Sequence, residues 1–340
     1  MTEHLFEKAV AFTDMHLGLR NNSREHNNDC QEFTEWMIKE AKARGIKTCF
    51  FLGDYHHVRS SLNISTLCYS TFLLRMLSDN FDDVYFIVGN HDMFYKEKRE
   101  INSIDYAKDI PNVHLINEPV CMGQVGLVPW VLKDEWQKIC NMDAKYLFGH
   151  FEFPSFLLNS KVLMPDHGQY PIGDLKKFDW VFSGHFHKRQ RRQNVQYMGN
   201  CFPHDFSDVN EEKDRGIMFL DWDGKPEFKA WPGTPKYRYA GIADLIERPD
   251  QYLGDKTYVR ATLDIDIDFD DASFVRETLS SLYNLREFTF LPKKREQEIL
   301  EVGNEDVDFE SVDSVVIGQL QNVDSNTFDS NLLISIYQAL

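Results

Sequence analysis

Val84-Tyr85-Phe86-Ile87-Val88-Gly89-Asn90-His91-Asp92 runs five β-branched or aromatic residues straight into Gly-Asn-His-Asp. Such a stretch predicts a buried central strand whose carboxyl end carries a tight polar loop. Open α/β sheets hold their ligands at strand ends of this kind. Gly89 lets the backbone turn at once, which aims Asn90 and His91 into the crevice. The pattern recurs four more times. Ala9–Phe12 leads into Thr13-Asp14-Met15-His16, and Cys49–Leu52 into Gly53-Asp54. Tyr146–Phe148 leads into Gly149-His150, and Trp180–Ser183 into Gly184-His185-Phe186-His187. Five strand ends therefore offer one polar cluster, and the chain is organised around it.

A chain of 340 residues has room for one large domain and a smaller one. With 42% hydrophobic and 14% aromatic residues it supports a packed core, which excludes wholesale disorder. No apolar run reaches the length of a membrane span, and the N-terminus lacks a basic region followed by an apolar stretch. No membrane association and a cytoplasmic location are the expectation. The six cysteines are scattered without a C-x-x-C pair, as reduced thiols of a cytoplasmic protein would be. The net charge of −17 argues at first against a nucleic-acid partner, but its location weakens that argument. Residues 296–313 hold eight acidic and no basic residues, and residues 264–271 hold five aspartates, both far in sequence from the cluster. The loops near the cluster are basic: Arg20 and Arg24, then Lys96, Lys98 and Arg99, then Lys188, Arg189, Arg191 and Arg192. A basic rim can gather phosphates even on an acidic protein, although a merely solvated surface looks the same in sequence.

Along the chain, Asp29-x-x-Glu32 forms a capping box before Phe33, Trp36, Met37 and Ala41 at helical spacing, and Gly45 stops that helix. Asn63 caps a second helix carrying Leu67, Phe72, Leu74 and Leu77. This β-α-β-α-β order predicts parallel strands with right-handed crossovers. Two shorter strands are expected from about 112 to 130 and a helix near 131–142, with 153–178 irregular. Val195–Asn200 and Gly216–Asp221 read as antiparallel strands, with a hairpin turn at Asp223-Gly224. A boundary falls at Trp231-Pro232-Gly233-Thr234-Pro235. Beyond it come a strand (Thr257–Ile267), a helix from about Asp271 and a strand (Arg286–Leu291), a small α+β unit. The acidic segment 296–313 reads as a linker, followed by apolar stripes at Val312, Val315, Val316 and Leu320 and at Leu332, Leu333, Ile336, Tyr337 and Leu340.

Of twelve histidines, six fall in the strand-end motifs: His16, His57, His91, His150, His185 and His187. With Asp14, Asp54 and Asn90 they are hard to explain as packing. Imidazole and carboxylate together favour Mn, Fe or Zn over Mg or Ca. The donors exceed what one four-coordinate site needs, so two metals are indicated. Asp14-x-His16 and His185-x-His187 each present alternate side chains to one face. A shared carboxylate can bridge ions roughly 3.5–4 Å apart, which generate hydroxide and clamp a phosphoryl group. His26, His114, His167 and His204 belong to no motif and read as surface or core histidines.

The ordered set D-x-H, G-D, G-N-H-D, G-H and G-H-x-H, across residues 14–187, resembles the calcineurin-like metallophosphoesterase family. The resemblance implies an α/β fold, a β-sandwich flanked by helices. It implies one metal on Asp14, His16, Asp54 and His187, and a second on Asp54, Asn90, His150 and His185. His91 is then a catalytic histidine outside the metal shell, with Asp92 orienting it. Gly53-Asp54-Tyr55-His56-His57 is unlike the G-D-x-x-D-R-G of protein phosphatases. With His57 it resembles the DNA double-strand-break nucleases: the bacterial SbcD subunit, its phage counterparts, and the eukaryotic and archaeal meiotic-recombination nuclease. Gly199-Asn200-Cys201-Phe202-Pro203 resembles their G-S/T-P segment but departs from it, and Arg215–Asp221 resembles the strand that follows.

The branch implies a nuclease domain over 1–232, a DNA-binding cap over 233–295, and an acidic linker with ATPase-binding helices over 296–340. It implies catalytic roles for His91, His57 and Asp92, and DNA contacts through Arg20, Lys96, Lys188 and Arg189. The implied partners are DNA, an SMC-like ATPase and a second copy of the chain, joined through helices in the first 80 residues. Mn²⁺ is the expected metal, with Mg²⁺ possible in its place. A phosphodiesterase or phosphatase for small substrates is the alternative; it shares the metal site but leaves the C-terminal third unexplained. A scaffold with a dead site would lack several ligands, and none is missing.

Overall fold

The computed structural model describes residues 4–291, apart from residues 133, 159–162 and 167–169. Two six-stranded sheets form its centre. The first runs in spatial order Glu227–Lys229, Ile217–Asp221, Lys8–Phe12, Thr48–Phe51, Asp83–Ile87 and Val113–Ile116. Its last four strands are mutually parallel, and Ile217–Asp221 lies antiparallel to Lys8–Phe12. The second runs Gln190–Arg192, Val195–Tyr197, Trp180–Gly184, Tyr146–His150, Val125–Val128 and Val120–Met122, with its four central strands parallel.

The strands read as near-continuous apolar runs because both faces of each sheet are covered. Alternate residues point opposite ways. Ala9, Ala11, Phe50, Leu52 and Ile87 face the second sheet and meet Val125, Leu127, Phe148 and Phe182. Phe50 stacks on Phe148 with ring centroids 4.4 Å apart. Burying a side chain of this size contributes roughly 1.5–3 kcal/mol. Val10, Phe12, Phe51 and Phe86 face outward onto Phe33, Met37, Leu74 and Leu77 of the helices Arg24–Ala43 and Ile64–Asn80. The outer face of the second sheet is covered by Ile139, Phe153, Phe156 and Phe178.

Several expectations change. The first long helix starts at Arg24, capped by Ser23, so Asp29 is not its cap. Asp29 is buried and accepts from Lys256 Nζ (2.9 Å) and from Arg286, which explains why an acid sits on the buried face of this helix. Asn63 does cap the second helix, through Ser65 N (2.8 Å), and Gly45 at φ 68° does end the first. Leu67 and Phe72 are exposed rather than packed in the core. The stretch 112–130 holds three strands, not two, and carries the chain from the first sheet to the second. The helix expected near 131–142 is confined to Trp136–Cys140. Val195–Tyr197 and Ile217–Asp221 belong to different sheets, and each finds its antiparallel partner elsewhere. The Asp223-Gly224 turn does join a hairpin, Ile217–Asp221 to Glu227–Lys229.

The small C-terminal unit is a parallel three-stranded sheet, Lys236–Gly241, Thr257–Thr262 and Glu287–Leu291, with the helix Phe269–Tyr283 and its own apolar cluster around Leu245, Val259 and Leu279. The strand expected to reach Ile267 stops at Thr262, and Asp268 caps the helix through Asp271 N (2.8 Å). The acidic linker and both apolar stripes lie outside the described residues.

Candidate metal centre

Register brings the polar loops to one edge. Phe12 lies opposite Phe51, Phe51 opposite Phe86, and Gly184 opposite His150. The loops of the first sheet deliver Asp14, His16, Asp54 and Asn90; those of the second deliver His150, His185 and His187. Asp14, His16, Asp54 and His185 adopt left-handed backbone, with φ of 53°, 49°, 60° and 84°. That conformation costs an L-residue roughly 1–2 kcal/mol and survives where the surroundings dictate it. Here Asp14 N donates to Gly53 O (3.0 Å) and His16 N to Asp54 O (3.1 Å). Gly89 opens the expected turn, closed by Asp92 N donating to Gly89 O (3.3 Å), and does so without a positive φ. It is needed for space: a Cβ there would lie 2.3 Å from Asp54 N and Oδ1.

Asp54 is the centre of the cluster. Its Oδ2 is 3.7 Å from His16 Nε2 and 3.4 Å from His150 Nε2, and its Oδ1 accepts from His91 N (2.8 Å). On one side, His16 Nε2 lies 3.9 Å from Asp14 Oδ1 and 3.2 Å from His187 Nε2. On the other, Asn90 Oδ1 lies 2.9 Å from His150 Nε2 and 3.1 Å from His185 Nδ1. His150 Nδ1 contacts Leu52 O at 2.6 Å, and a carbonyl only accepts, so Nδ1 carries the proton and Nε2 faces the cluster. Burial opposes charging His150, but the Asp54 carboxylate outweighs it and raises the imidazole to about 9. Burial would raise Asp54 too, yet His150 holds it well below the usual carboxylate range. Burial lowers His16 well below its ordinary value and lowers His185 as well, the latter against a hydrogen bond to Glu152 (3.1 Å).

This donor set fits two divalent ions. Asp14, His16 and Asp54 present donor atoms within 4.8 Å of one another, as do Asp54, His150 and His185. The two groups share Asp54. His16 Nε2 and His187 Nε2, 3.2 Å apart, converge as two ligands of one ion would.

His91 and His57 border the same cleft, their rings stacked at 5.6 Å. His91 Nδ1 donates to His57 O (2.8 Å), which fixes the ring and leaves Nε2 free for the cleft. Asp92 therefore does not orient His91. It is fully buried and accepts from the backbone N–H groups of Gly89 (2.9 Å), Asp54 (3.0 Å), Tyr55 (3.0 Å) and His56 (3.1 Å). It ties the Asp54 loop to the Asn90 loop. Burial and the Asp54 charge push its carboxyl up to about 7, against the pull of those N–H groups.

A calcineurin-like phosphoesterase model matches residues 8–189, more than half of the chain and all of these candidate donors. The chain belongs to the calcineurin-like phosphoesterase family. Its two sheets and flanking helices are the metallophosphoesterase fold, and phosphoester hydrolysis is its chemistry. Exonuclease subunit 1 of Enterobacteria phage T4 is 27% identical over 251 residues, which is 70% of this chain and 73% of the phage protein. Among solved structures, the Pseudomonas putida nuclease MPE is 18% identical with a TM-score of 0.29, over 55% of this chain and 66% of that one. A dimetal phosphatase from Danio rerio is 10% identical with a TM-score of 0.40, over 64% of this chain and 93% of that one.

The basic residues of this phosphoesterase are mostly committed elsewhere. Arg20 bonds to His204 O (2.8 Å) and Tyr237 Oη and lies over the Tyr258 ring at 4.2 Å. Lys188 pairs with Glu211 (2.9 Å). Arg189 donates to Met198 O (3.1 Å) beneath Phe228, and burial pulls it down to about 10. Arg99 is buried against Glu135. Of the four candidate phosphate contacts, Lys96 is the exposed one, at the mouth of a cavity lined by Trp130, Glu152 and Tyr170. Sequence reasoning missed two members of the site. Glu152, two residues past His150, reaches His185. His204, set aside as a packing histidine, lies beside His16 and His187. Its only signal in sequence is its place three residues after Cys201, directly after the segment that departs from the family pattern.

Proposed function

We propose that this phosphoesterase is a DNA nuclease: the metal-dependent nuclease subunit of an SMC-like ATPase complex, acting in recombination, repair and replication. Exonuclease cleavage at duplex ends and endonuclease cleavage of single strands are the activities it would carry. The observation that bears most weight is Asp54, approached by His16 at 3.7 Å from one side and by His150 at 3.4 Å from the other.

Asp14, His16, Asp54 and His187 would hold one ion, and Asp54, Asn90, His150 and His185 the other, with Mn²⁺ favoured by the imidazole content. When bound, such a pair supplies Lewis acidity toward a phosphoryl group and a hydroxide nucleophile near neutral pH. The chain supplies the rest. The Leu52 carbonyl and Glu152 fix the rings of His150 and His185, so the donors are aimed in advance. His91, held through Nδ1, offers a proton on Nε2 to the leaving oxygen when the ring is charged. His57, stacked on it, closes that side of the cleft.

The phage relative's name, an exonuclease subunit, supports a nucleic-acid substrate. Lys96 and the small C-terminal unit, as a cap, would guide the strand. Ile64 (85% exposed) and Phe72 (48% exposed) on the helix Ile64–Asn80 support a homodimer contact within the first 80 residues. The C-terminal stripes would engage the ATPase, in the cytoplasm of a bacterial host if the chain is phage-encoded. The test is cleavage by chelator-stripped protein of linear duplex and circular single-stranded DNA, with a cyclic nucleotide in parallel. Cleavage of both DNAs, restored by Mn²⁺ better than by Mg²⁺, is the expected result. Turnover of the cyclic nucleotide with both DNAs intact would replace this reading with the small-substrate one.

A further inference from the structure

His204, one of the histidines outside every motif, sits on the loop after the strand Val195–Tyr197. Its side chain is almost wholly buried, yet it is not surrounded by apolar groups alone. Its ring stands perpendicular to His16 at 5.4 Å and nearly so to His187 at 5.3 Å. One ring nitrogen lies within 4.8 Å of donor nitrogens of both. Its Nε2 is 4.0 Å from Cys201 Sγ, and its Nδ1 is buried without a hydrogen-bond partner. A buried polar atom with no partner is costly and calls for an explanation.

The backbone around it is fixed from both sides. His204 N donates to Asp208 Oδ2 (2.9 Å), itself in a carboxylate paired with the buried Arg215 (2.8 Å). His204 O accepts from Arg20 (2.8 Å) and from Tyr237 Oη (2.8 Å) of the small C-terminal sheet. A residue held this firmly, with one ring nitrogen near two proposed ligands and its Nδ1 unpartnered, has the preorganisation of a ligand rather than of filler.

We propose that His204 supplies a ring nitrogen to the ion held by Asp14, His16, Asp54 and His187, giving that ion a third imidazole. This rests on the two-ion reading of the centre. The second ion, on His150 and His185, has no such addition among the described residues. The two ions therefore differ in donor type, and the richer imidazole set selects against Mg²⁺ at the first one.

The experiment is titration of chelator-stripped full-length protein with Co²⁺ and with Mn²⁺. It follows stoichiometry, affinity and the visible Co²⁺ absorption, for the wild type, His204→Phe and His204→Gln. Metal-free thermal transitions are recorded in parallel. The wild type binds two ions. His204→Phe weakens one of them by at least about tenfold, the scale of even an outer-sphere partner. It changes the Co²⁺ spectrum of that ion alone and leaves the metal-free transition unchanged or raised, because the orphaned nitrogen is gone. His204→Gln, which keeps a donor, recovers part of the affinity. Two ions bound by His204→Phe with wild-type affinity and spectrum would overturn the proposal. So would a lowered metal-free transition in both variants accompanying the loss, which would make His204 a packing residue. A wild type that binds fewer than two ions would instead overturn the two-ion reading beneath it.

Discussion

Asp54 and His91 sit side by side and do different things. The Asp54 carboxylate is shared by the two donor groups, while His91 contributes a backbone N–H to it and keeps its ring for the cleft. His91→Gln is expected to retain both ions and lose on the order of 10²–10⁴ in rate, the contribution of a positioned proton donor. Metal analysis together with single-turnover cleavage separates the two effects, and an emptied site in this variant would move His91 into the metal shell. Behind His204, burial lowers His26 from 6.5 to about 4, against its bond to Met15 O (3.0 Å). The folded state therefore keeps this ring neutral while the unfolded chain charges it. The associated stability is present above about pH 6.5 and drains away as the pH falls toward about 4, by up to about 3 kcal/mol. Urea melts of metal-free protein at pH 7 and pH 5 measure this, and His26→Gln should reduce the difference, with His16 and His185 supplying part of what remains.

At the scale of elements, strand ends and loops explain what the sequence could and could not reveal. The runs Ala9–Phe12, Cys49–Leu52, Val84–Val88, Tyr146–Phe148 and Trp180–Ser183 are legible because strands covered on both faces are apolar throughout, and because their polar residues begin abruptly. The candidate ligands were legible with them, since His150 ends its strand and each of the others follows its strand by one to four residues. Asp92 was misjudged because adjacency to His91 in sequence says nothing about which donors a buried carboxylate meets. Asp29 was misjudged because its cationic partners, Lys256 and Arg286, lie more than 220 residues away. His204 was invisible for the same reason: only the folded loop brings it to His16 and His187. Two substitutions test the loop geometry. Asp92→Ala strands four backbone N–H groups and should cost at least about 3 kcal/mol. Gly89→Ala drives a Cβ into the Asp54 backbone and carboxylate, so it should weaken both ions as well as stability, as calorimetry with metal titration would record.

At the scale of the whole molecule, the net charge of −17 and a nucleic-acid substrate are compatible because the charge is unevenly placed. Eight of the acids lie in 296–313, next to the apolar stripes that end the chain. Deleting 312–340 should spare metal binding and Mn²⁺-dependent cleavage of short DNA. It should abolish co-purification with an SMC-like ATPase and ATP-stimulated degradation of duplex DNA. A truncated protein that aggregates, or that still binds the ATPase unchanged, would place those stripes in the core or the partner site elsewhere. Everything proposed for the molecule depends on one arrangement, two ions sharing Asp54. The most direct measurement is the count and affinity of Mn²⁺ bound by metal-stripped wild type and by Asp54→Ala. Two ions on the wild type, with both weakened together in the variant, is the predicted result. A wild type that holds one ion, or an Asp54→Ala protein that loses one and keeps the other at full affinity, would contradict it.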